Sequence, residues 1–248
     1  MNKYIYPQWP AAANVKAAST TRLAGYSASP CDSFNLGDHV GDEQQAVLDN
    51  RRLLQQELCL PGKPQWMNQV HGTDVFYVAK SSDNVPTADA LWSDQCDCVL
   101  TVMTADCLPV LLAAKNGNCI ATIHGGWRGL VGGVIQRTVQ ALPVPPEDLV
   151  AWLGPAIGPQ AFEVGAEVRD AFVNLNVQYD NCFVPTQHSG KYLADIFAIG
   201  RYCLADAGVD AVCGGERCTY QDPQHFFSYR RDSGNTGRMA SLIWIEQT

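Results

Sequence analysis

The sequence predicts an α+β layered fold in a single domain spanning residues 1–248. Three observations predict it. Short β-prone runs dominate the first half, several of them joined by hairpin-type turns. Four stretches carry helical periodicity, too few and too late to alternate with the strands as in a regular doubly wound sheet. No Pro/Gly/Ser-rich linker, charge run or repeat divides the chain.

The elements follow in order. Residues 15–20 read as a strand. Residues 42–58 read as a helix, with Val47, Leu54 and Leu58 at helical spacing and acidic residues in the first turn. Residues 65–70 alternate polar and apolar, predicting a strand that ends at His71. Gly72-Thr73-Asp74 reads as a hairpin turn into a strand at 75–78. A strand at 98–103 leads to Cys107. Strands at 108–114 and 118–123 form a hairpin through Lys115-Asn116-Gly117. Residues 130–142 form a helix that follows a glycine-rich turn and stops at Pro143. A strand is predicted at 149–153. A helix at 163–175 places Val164, Val168, Phe172 and Leu175 on one face. Another at 193–207 carries Ile196, Phe197 and Leu204, with Gly208 as its stop. Strands at 226–229 and 239–245 complete the pattern.

Composition bounds the function. The chain is 46% hydrophobic and only 17% charged, against about 25% in ordinary domains, so a substantial core can form. A formal net charge of -8 excludes a general nucleic-acid binder, which needs a basic footprint. It leaves room for a small anion in a local arginine pocket. The N-terminus lacks the apolar stretch of a signal peptide, and no run approaches the ~18 apolar residues of a membrane span. The expectation is a soluble, cytoplasmic protein. The 10 cysteines form no CxxC pair and mostly sit in apolar runs, the pattern of reduced, buried thiols. Cys96 with Cys98, and Cys213 with Cys218, are the alternatives as secondary metal or redox pairs.

Three polar residues carry the chemistry. His71 stands in Asn68-Gln69-Val70-His71-Gly72, Cys107 in Thr104-Ala105-Asp106-Cys107-Leu108-Pro109, and His124 in His124-Gly125-Gly126-Trp127-Arg128-Gly129. Each lies at or just beyond the end of an apolar run. Two imidazoles and a thiolate make a three-ligand zinc set that keeps a fourth position open, the arrangement of a catalytic metal. Zinc so held brings the pKa of water to about 7. Asp106 or Asp74 is available to orient a ligand imidazole, or serves only as a turn residue.

The turn after His124 joins strand to helix through glycines and offers Arg128 to an anion, or is a tight turn with a surface arginine. Arg22, Asn35 and Gln69 stand in polar turns near strand ends and are further pocket candidates. Residues 226–231 offer aromatic rings for stacking and Arg230 for phosphate, or core aromatics with surface arginines.

At these residues the chain resembles a known family. The six segments are 68–72, Ala88-Asp89-Ala90, 104–110, 124–129, 154–159 and 227–232. In this order they are similar to the bacterial laccase-domain family, whose members were called multicopper polyphenol oxidases and are now described as purine nucleoside phosphorylases. The resemblance runs from near Trp9 to Ile245. It implies a β-sandwich-like core of mixed sheets flanked by helices, and a catalytic zinc on His71, Cys107 and His124. It implies phosphorolysis of adenosine, inosine, guanosine and methylthioadenosine, with adenosine deamination, so that purine nucleosides and phosphate are the partners. It also links relatives to peptidoglycan precursor editing. It leaves the oligomeric state undetermined.

Other functions compete. A His₂Cys set with a weak axial methionine is also a blue-copper site, and Met103 is near Cys107 in sequence. A multicopper oxidase also needs a multinuclear centre, and this chain has 5 histidines and no His-x-His pair. A cysteine hydrolase would use Cys107 as nucleophile with His124 or His71 as base, and would suit amide cleavage in cell-wall editing. A non-catalytic binding module is the fourth class.

Overall fold

The structure is a computed structural model that describes residues 2–247. The first sheet has five strands in the order β1 (Tyr4–Ile5), β2 (Val15–Thr20), β14 (Met239–Ile245), β6 (Val99–Thr104) and β3 (Pro64–Gln65). The second has six, in the order β13 (Ala211–Gly214), β9 (Leu149–Leu153), β7 (Leu108–Ala114), β8 (Ile120–Gly125), β5 (Ala90–Ser93) and β4 (Val75–Tyr77). A small third sheet joins β10 (Glu163–Gly165), β12 (Lys191–Ala194) and β11 (Phe183–Pro185). The helices are α1 (Gln44–Glu57), α2 (Trp127–Gly132), α3 (Val134–Ala141), α4 (Ala166–Val173) and α5 (Ile196–Asp206).

Side-chain alternation along the strands sets the layers. In β7, Leu111 and Ala113 pack against Leu100, Val102, Ile243 and Ile245 of the first sheet. Its other face, with Val110, Leu112 and Ala114, packs with Leu130, Val134, Ile135 and Ile199 of the helices. Both faces are covered, so the whole strand is buried and reads as an unbroken apolar run. On the far side, Val99, Leu242 and Trp244 meet Leu54 of α1, with Phe34 and Leu36. Helix, sheet, sheet, helix is therefore the order of layers. The α+β expectation and the sandwich-like core flanked by helices both stand.

Local signals were read correctly where the cause is local. The β7–β8 hairpin forms around residues 115–117, with Gly117 at φ 74°. Gly208 ends helix α5 at φ 84°, as expected, but the helix starts at the Asp195 cap, whose carboxylate accepts from the N–H groups of Phe197 and Ala198, and not at residue 193, which lies in β12.

Several expectations are corrected. Residues 66–70 are not a strand, since β3 ends at Gln65 and Asn68 makes only an isolated bridge to Thr87. Gly72-Thr73-Asp74 is not a hairpin turn: β4 pairs in parallel with β5, not with the segment before it. The helix at 130–142 is two helices, broken at Gly133, whose φ of 86° is left-handed. Residues 163–165 are strand, and the helix begins at Ala166. Residues 226–229 form no strand: 226–228 are irregular and Tyr229 begins a turn. The acidic residues Asp42 and Glu43 precede α1, whose first turn has none; Glu43 is its cap. All 10 cysteines are free. Among the described residues no helix is long and apolar enough to cross a membrane.

Candidate metal centre and its cavity

The hairpin builds half of the centre. Leu108 pairs with Gly125 and Pro109 with His124, so Cys107, one residue before β7, is delivered beside the end of β8. His71 comes from the loop between β3 and β4, in the left-handed region at φ 59°. Ligand atoms of the three residues all lie within 4.8 Å of one another. Cys107 Sγ is 3.7 Å from His71 Nε2. The two imidazoles meet edge to face, with centroids 4.7 Å apart at 74°.

One carboxylate organises them. Asp89 is fully buried. Its Oδ1 accepts from His124 Nδ1 at 2.8 Å and from the His71 N–H at 2.9 Å. Its Oδ2 accepts from the N–H groups of Gly72 at 2.6 Å and Val70 at 3.2 Å. A carboxylate offers about four acceptor positions, so this one is saturated. Burial pushes its pKa up, but the bonds from His124, Gly72 and Val70 and the His124 charge together hold it below the usual carboxylate range. They also hold His71 in a backbone conformation that a side chain disfavours. Sequence reading assigned this orienting task to Asp106 or Asp74, and the structure corrects it. Asp106 accepts from Thr219 Oγ1 at 2.6 Å, Ser228 Oγ at 3.0 Å and the Arg230 N–H at 2.7 Å, tying down the C-terminal loop. Asp74 serves through its backbone carbonyl, which accepts from the N–H groups of Asp89 and Ala90. The sequence signal for Asp89 was available: a single carboxylate between Ala88 and Ala90, ahead of an apolar run.

Gly126 makes room for the centre. A Cβ there would stand 2.6 Å from His71 Cδ2 and 3.5 Å from His124 Cε1. The electrostatics are those of a ligand set. Burial opposes ionisation of Cys107, but the neighbouring His124 charge and the bonds from both imidazoles prevail and lower its pKa. Burial likewise opposes a charge on His124, yet Cys107 and Asp89 raise its pKa.

The donor set fits zinc. Bonds of about 2.0–2.1 Å to nitrogen and about 2.3 Å to sulfur need donors in the mutual range seen here. Asp89 accepts the Nδ1–H hydrogen bond of His124, which leaves Nε2 for an ion. The residues fit a multicopper centre poorly. Among the described residues this is the one group of three or more suited donors. Of the other histidines, His39, His188 and His225 stand beside Asp38, Glu163 and Asp222. Cys98 is buried, and Cys218 Sγ accepts from the Gly158 N–H at 3.1 Å, so neither suggested cysteine pair forms such a group.

The cluster lies in the wall of a cavity of about 520 Å³, within the range of small-molecule sites. Arg128 and Arg230 line it, as the sequence suggested. Gln69 lines it too, but its amide is committed to the backbone of Met103, donating to the carbonyl and accepting from the N–H, each at 2.8 Å. Arg22 and Asn35 are corrected, because neither lines the cavity. Arg22 donates to the carbonyls of Asp32 and Pro223 and lies over the Phe227 ring. Asn35 is fully buried, with its amide spent on Gly37, Asp42 and the Arg238 N–H. The aromatic run splits. Phe226 and Phe227 are core residues, whereas Tyr229 lines the cavity with Trp127 and Phe162. Sequence reasoning missed Arg238 and His39, which also line it. Nothing local distinguishes them from surface residues.

Comparison with known proteins agrees with this geometry. The sequence profile of the family described as "Multi-copper polyphenol oxidoreductase laccase" matches residues 16–246. The chain is 50% identical to "Purine nucleoside phosphorylase YfiH" of Shigella flexneri over 99% of its own length and 100% of the relative's. It is 45% identical to a "Purine nucleoside phosphorylase" of Haemophilus influenzae, over 98% and 99%. The crystal structure of Neisseria meningitidis protein NMB0706 superimposes with a TM-score of 0.94 at 47% identity, covering 99% of this chain and 100% of that one.

Proposed function

The chain belongs to the multi-copper polyphenol oxidoreductase laccase family, and from that premise we propose that it is a zinc-dependent purine nucleoside phosphorylase. Its proposed substrates are adenosine, inosine, guanosine and S-methyl-5′-thioadenosine, and deamination of adenosine is a second activity of the same cavity. The observation that carries the reading is the three-donor cluster in the wall of a cavity lined by both arginines and aromatic rings.

His71, Cys107 and His124 would hold the ion, and zinc there supplies Lewis acidity. The protein's own groups do the rest. Arg128 and Arg230 bind phosphate and orient it toward ribose C1′. Trp127, Phe162 and Tyr229 offer ring faces to the purine. Phosphate oxygen bonds to C1′ as the glycosidic bond breaks, and the purine leaves with the bonding pair and gains a proton. In deamination, water adds at C6 and ammonia departs. The test is incubation of the pure protein with adenosine, with and without phosphate. Adenine and ribose 1-phosphate should appear only with phosphate; their absence rejects phosphorolysis.

A second reading has its own observation. Cys107, His124 and Asp89 follow one another as thiol, imidazole and orienting carboxylate, the order of a thiol hydrolase. In that reading the protein cleaves an amide in peptidoglycan precursors. Chelation separates the two: loss of activity supports zinc, and retained or increased activity supports the nucleophile.

A further inference from the structure

Three guanidinium groups reach the cavity without a carboxylate between them. Elsewhere, Arg22, Arg51, Arg52, Arg169 and Arg231 each pair with an aspartate, while Arg201 is spent on the Val212 and Gly214 carbonyls. Arg128, Arg230 and Arg238 pair with none among the described residues. Arg128 lies over the Trp127 ring, 4.4 Å from its centroid. Arg230 donates Nη1 to the Glu163 carbonyl at 2.7 Å. Arg238 donates through Nη1 to the carbonyls of Thr236 and Gly237, at 2.9 and 3.0 Å. The carboxylate in the lining, Asp106, is taken up by Thr219, Ser228 and a backbone N–H. A chain of net charge -8 therefore gathers three guanidinium groups without an ion-pair partner on one cavity, whose lining holds a single carboxylate.

Phosphorolysis uses fewer. Inorganic phosphate is met by one or two guanidinium forks, and a purine nucleoside is neutral. The third cation exceeds that need. Arg238 is half-buried beside the Tyr229 ring and in no ion pair; burial opposes its charge more than the nearby Cys107 and Asp106 favour it, and a ligand anion relieves that cost. We propose that the cavity takes nucleoside 5′-monophosphates, with Arg238 holding the 5′-phosphate; this rests on the nucleoside reading above. A second inorganic phosphate ion is the other source of such an anion.

Calorimetric titration of the zinc-loaded protein with adenosine, with AMP and with inorganic phosphate, each alone, tests it. AMP should bind at least tenfold more tightly than adenosine, and added salt should shrink the difference. In Arg238→Gln the preference should fall to about twofold or less, and Arg238→Lys should restore part of it. Equal binding of AMP and adenosine by the unaltered protein overturns the proposal, whatever the variants do. So does binding of two phosphate ions with no gain for AMP, or a full preference surviving in folded Arg238→Gln. Adenosine phosphorolysis is scored separately: if it fails, the nucleoside reading fails, and if it succeeds while AMP gains nothing, only the 5′-phosphate site does.

Discussion

Two buried carboxylates stand beside the same cavity and serve different parts of it. Asp89 gathers four N–H groups, three from the loop carrying His71 and one from the His124 ring. Asp106 gathers a loop far away in sequence, through Thr219, Ser228 and Arg230. The first fixes the three candidate donor side chains, and the second fixes the arginine and tyrosine of the rim. Sequence position hides this division, since Asp106 is adjacent to a ligand and Asp89 is not. Proximity along the chain is a poor guide to which carboxylate supports a centre; the acceptor's hydrogen-bond partners decide it.

If that division is right, substitutions at the two positions should fail differently. The largest effect belongs to Asp89→Ala. It leaves His124 and three N–H groups without their acceptor in a buried site, so a loss of about 3–5 kcal/mol of stability is expected. Zinc affinity, read by competition with a chromogenic chelator, should fall by about 10–100-fold. Unchanged zinc affinity in folded Asp89→Ala would remove the distinction.

Gly126→Ala comes next. Gly126 has φ -66° and ψ 148°, a backbone that alanine adopts freely. Its cost is therefore the His71 ring, 2.6 Å from the new Cβ. Zinc binding should weaken by about tenfold with little change in melting temperature.

Asp106→Asn should keep the ion and lose the rim. An amide accepts at one atom only, so either Thr219 or the Ser228–Arg230 pair loses its acceptor, at a cost of about 1–3 kcal/mol. KM for phosphate should rise while zinc affinity stays within about twofold; the reverse pattern would assign Asp106 to the centre.

Arg22→Ala is the smallest. It removes a half-buried ion pair with Asp32, the bonds to the Asp32 and Pro223 carbonyls and a stacking contact on Phe227, worth about 1–2 kcal/mol together. KM for nucleoside and phosphate should not move, because Arg22 does not line the cavity.

How much was legible in the chain follows from where each cause lies. Cys107 and His124 are joined by a hairpin whose turn residues are local, and both were found. The layered α+β class was legible from the many short strands and few helices, and β7 is apolar throughout, as a strand covered on both faces is; the sandwich itself was expected only from the family resemblance. The alternation read at 65–70 is imperfect, since Trp66 and Met67 are both apolar and Asn68 and Gln69 both polar. Gln69 turns inward to bond Met103 across 34 residues, and no ladder forms. The β4–β5 parallel pair and the Asp106 loop are likewise products of distant contacts. Periodicity reports one element's own faces, and these arise between elements. Arg22 and Asn35 stood in turns that resembled site-forming turns, and only the packed chain shows them facing inward.

The hairpin also carries a consequence for how the centre comes together. Cys107 and His124 are neighbours as soon as β7 and β8 zip, an event between nearby residues that precedes remote closure. His71 must then be brought in from a separate loop that Asp89 clasps. An ion gripped by all three would act as a latch between an early-formed arm and a late one. Stripping it should quicken deuterium uptake across 68–74 while leaving 108–125 as slow as before.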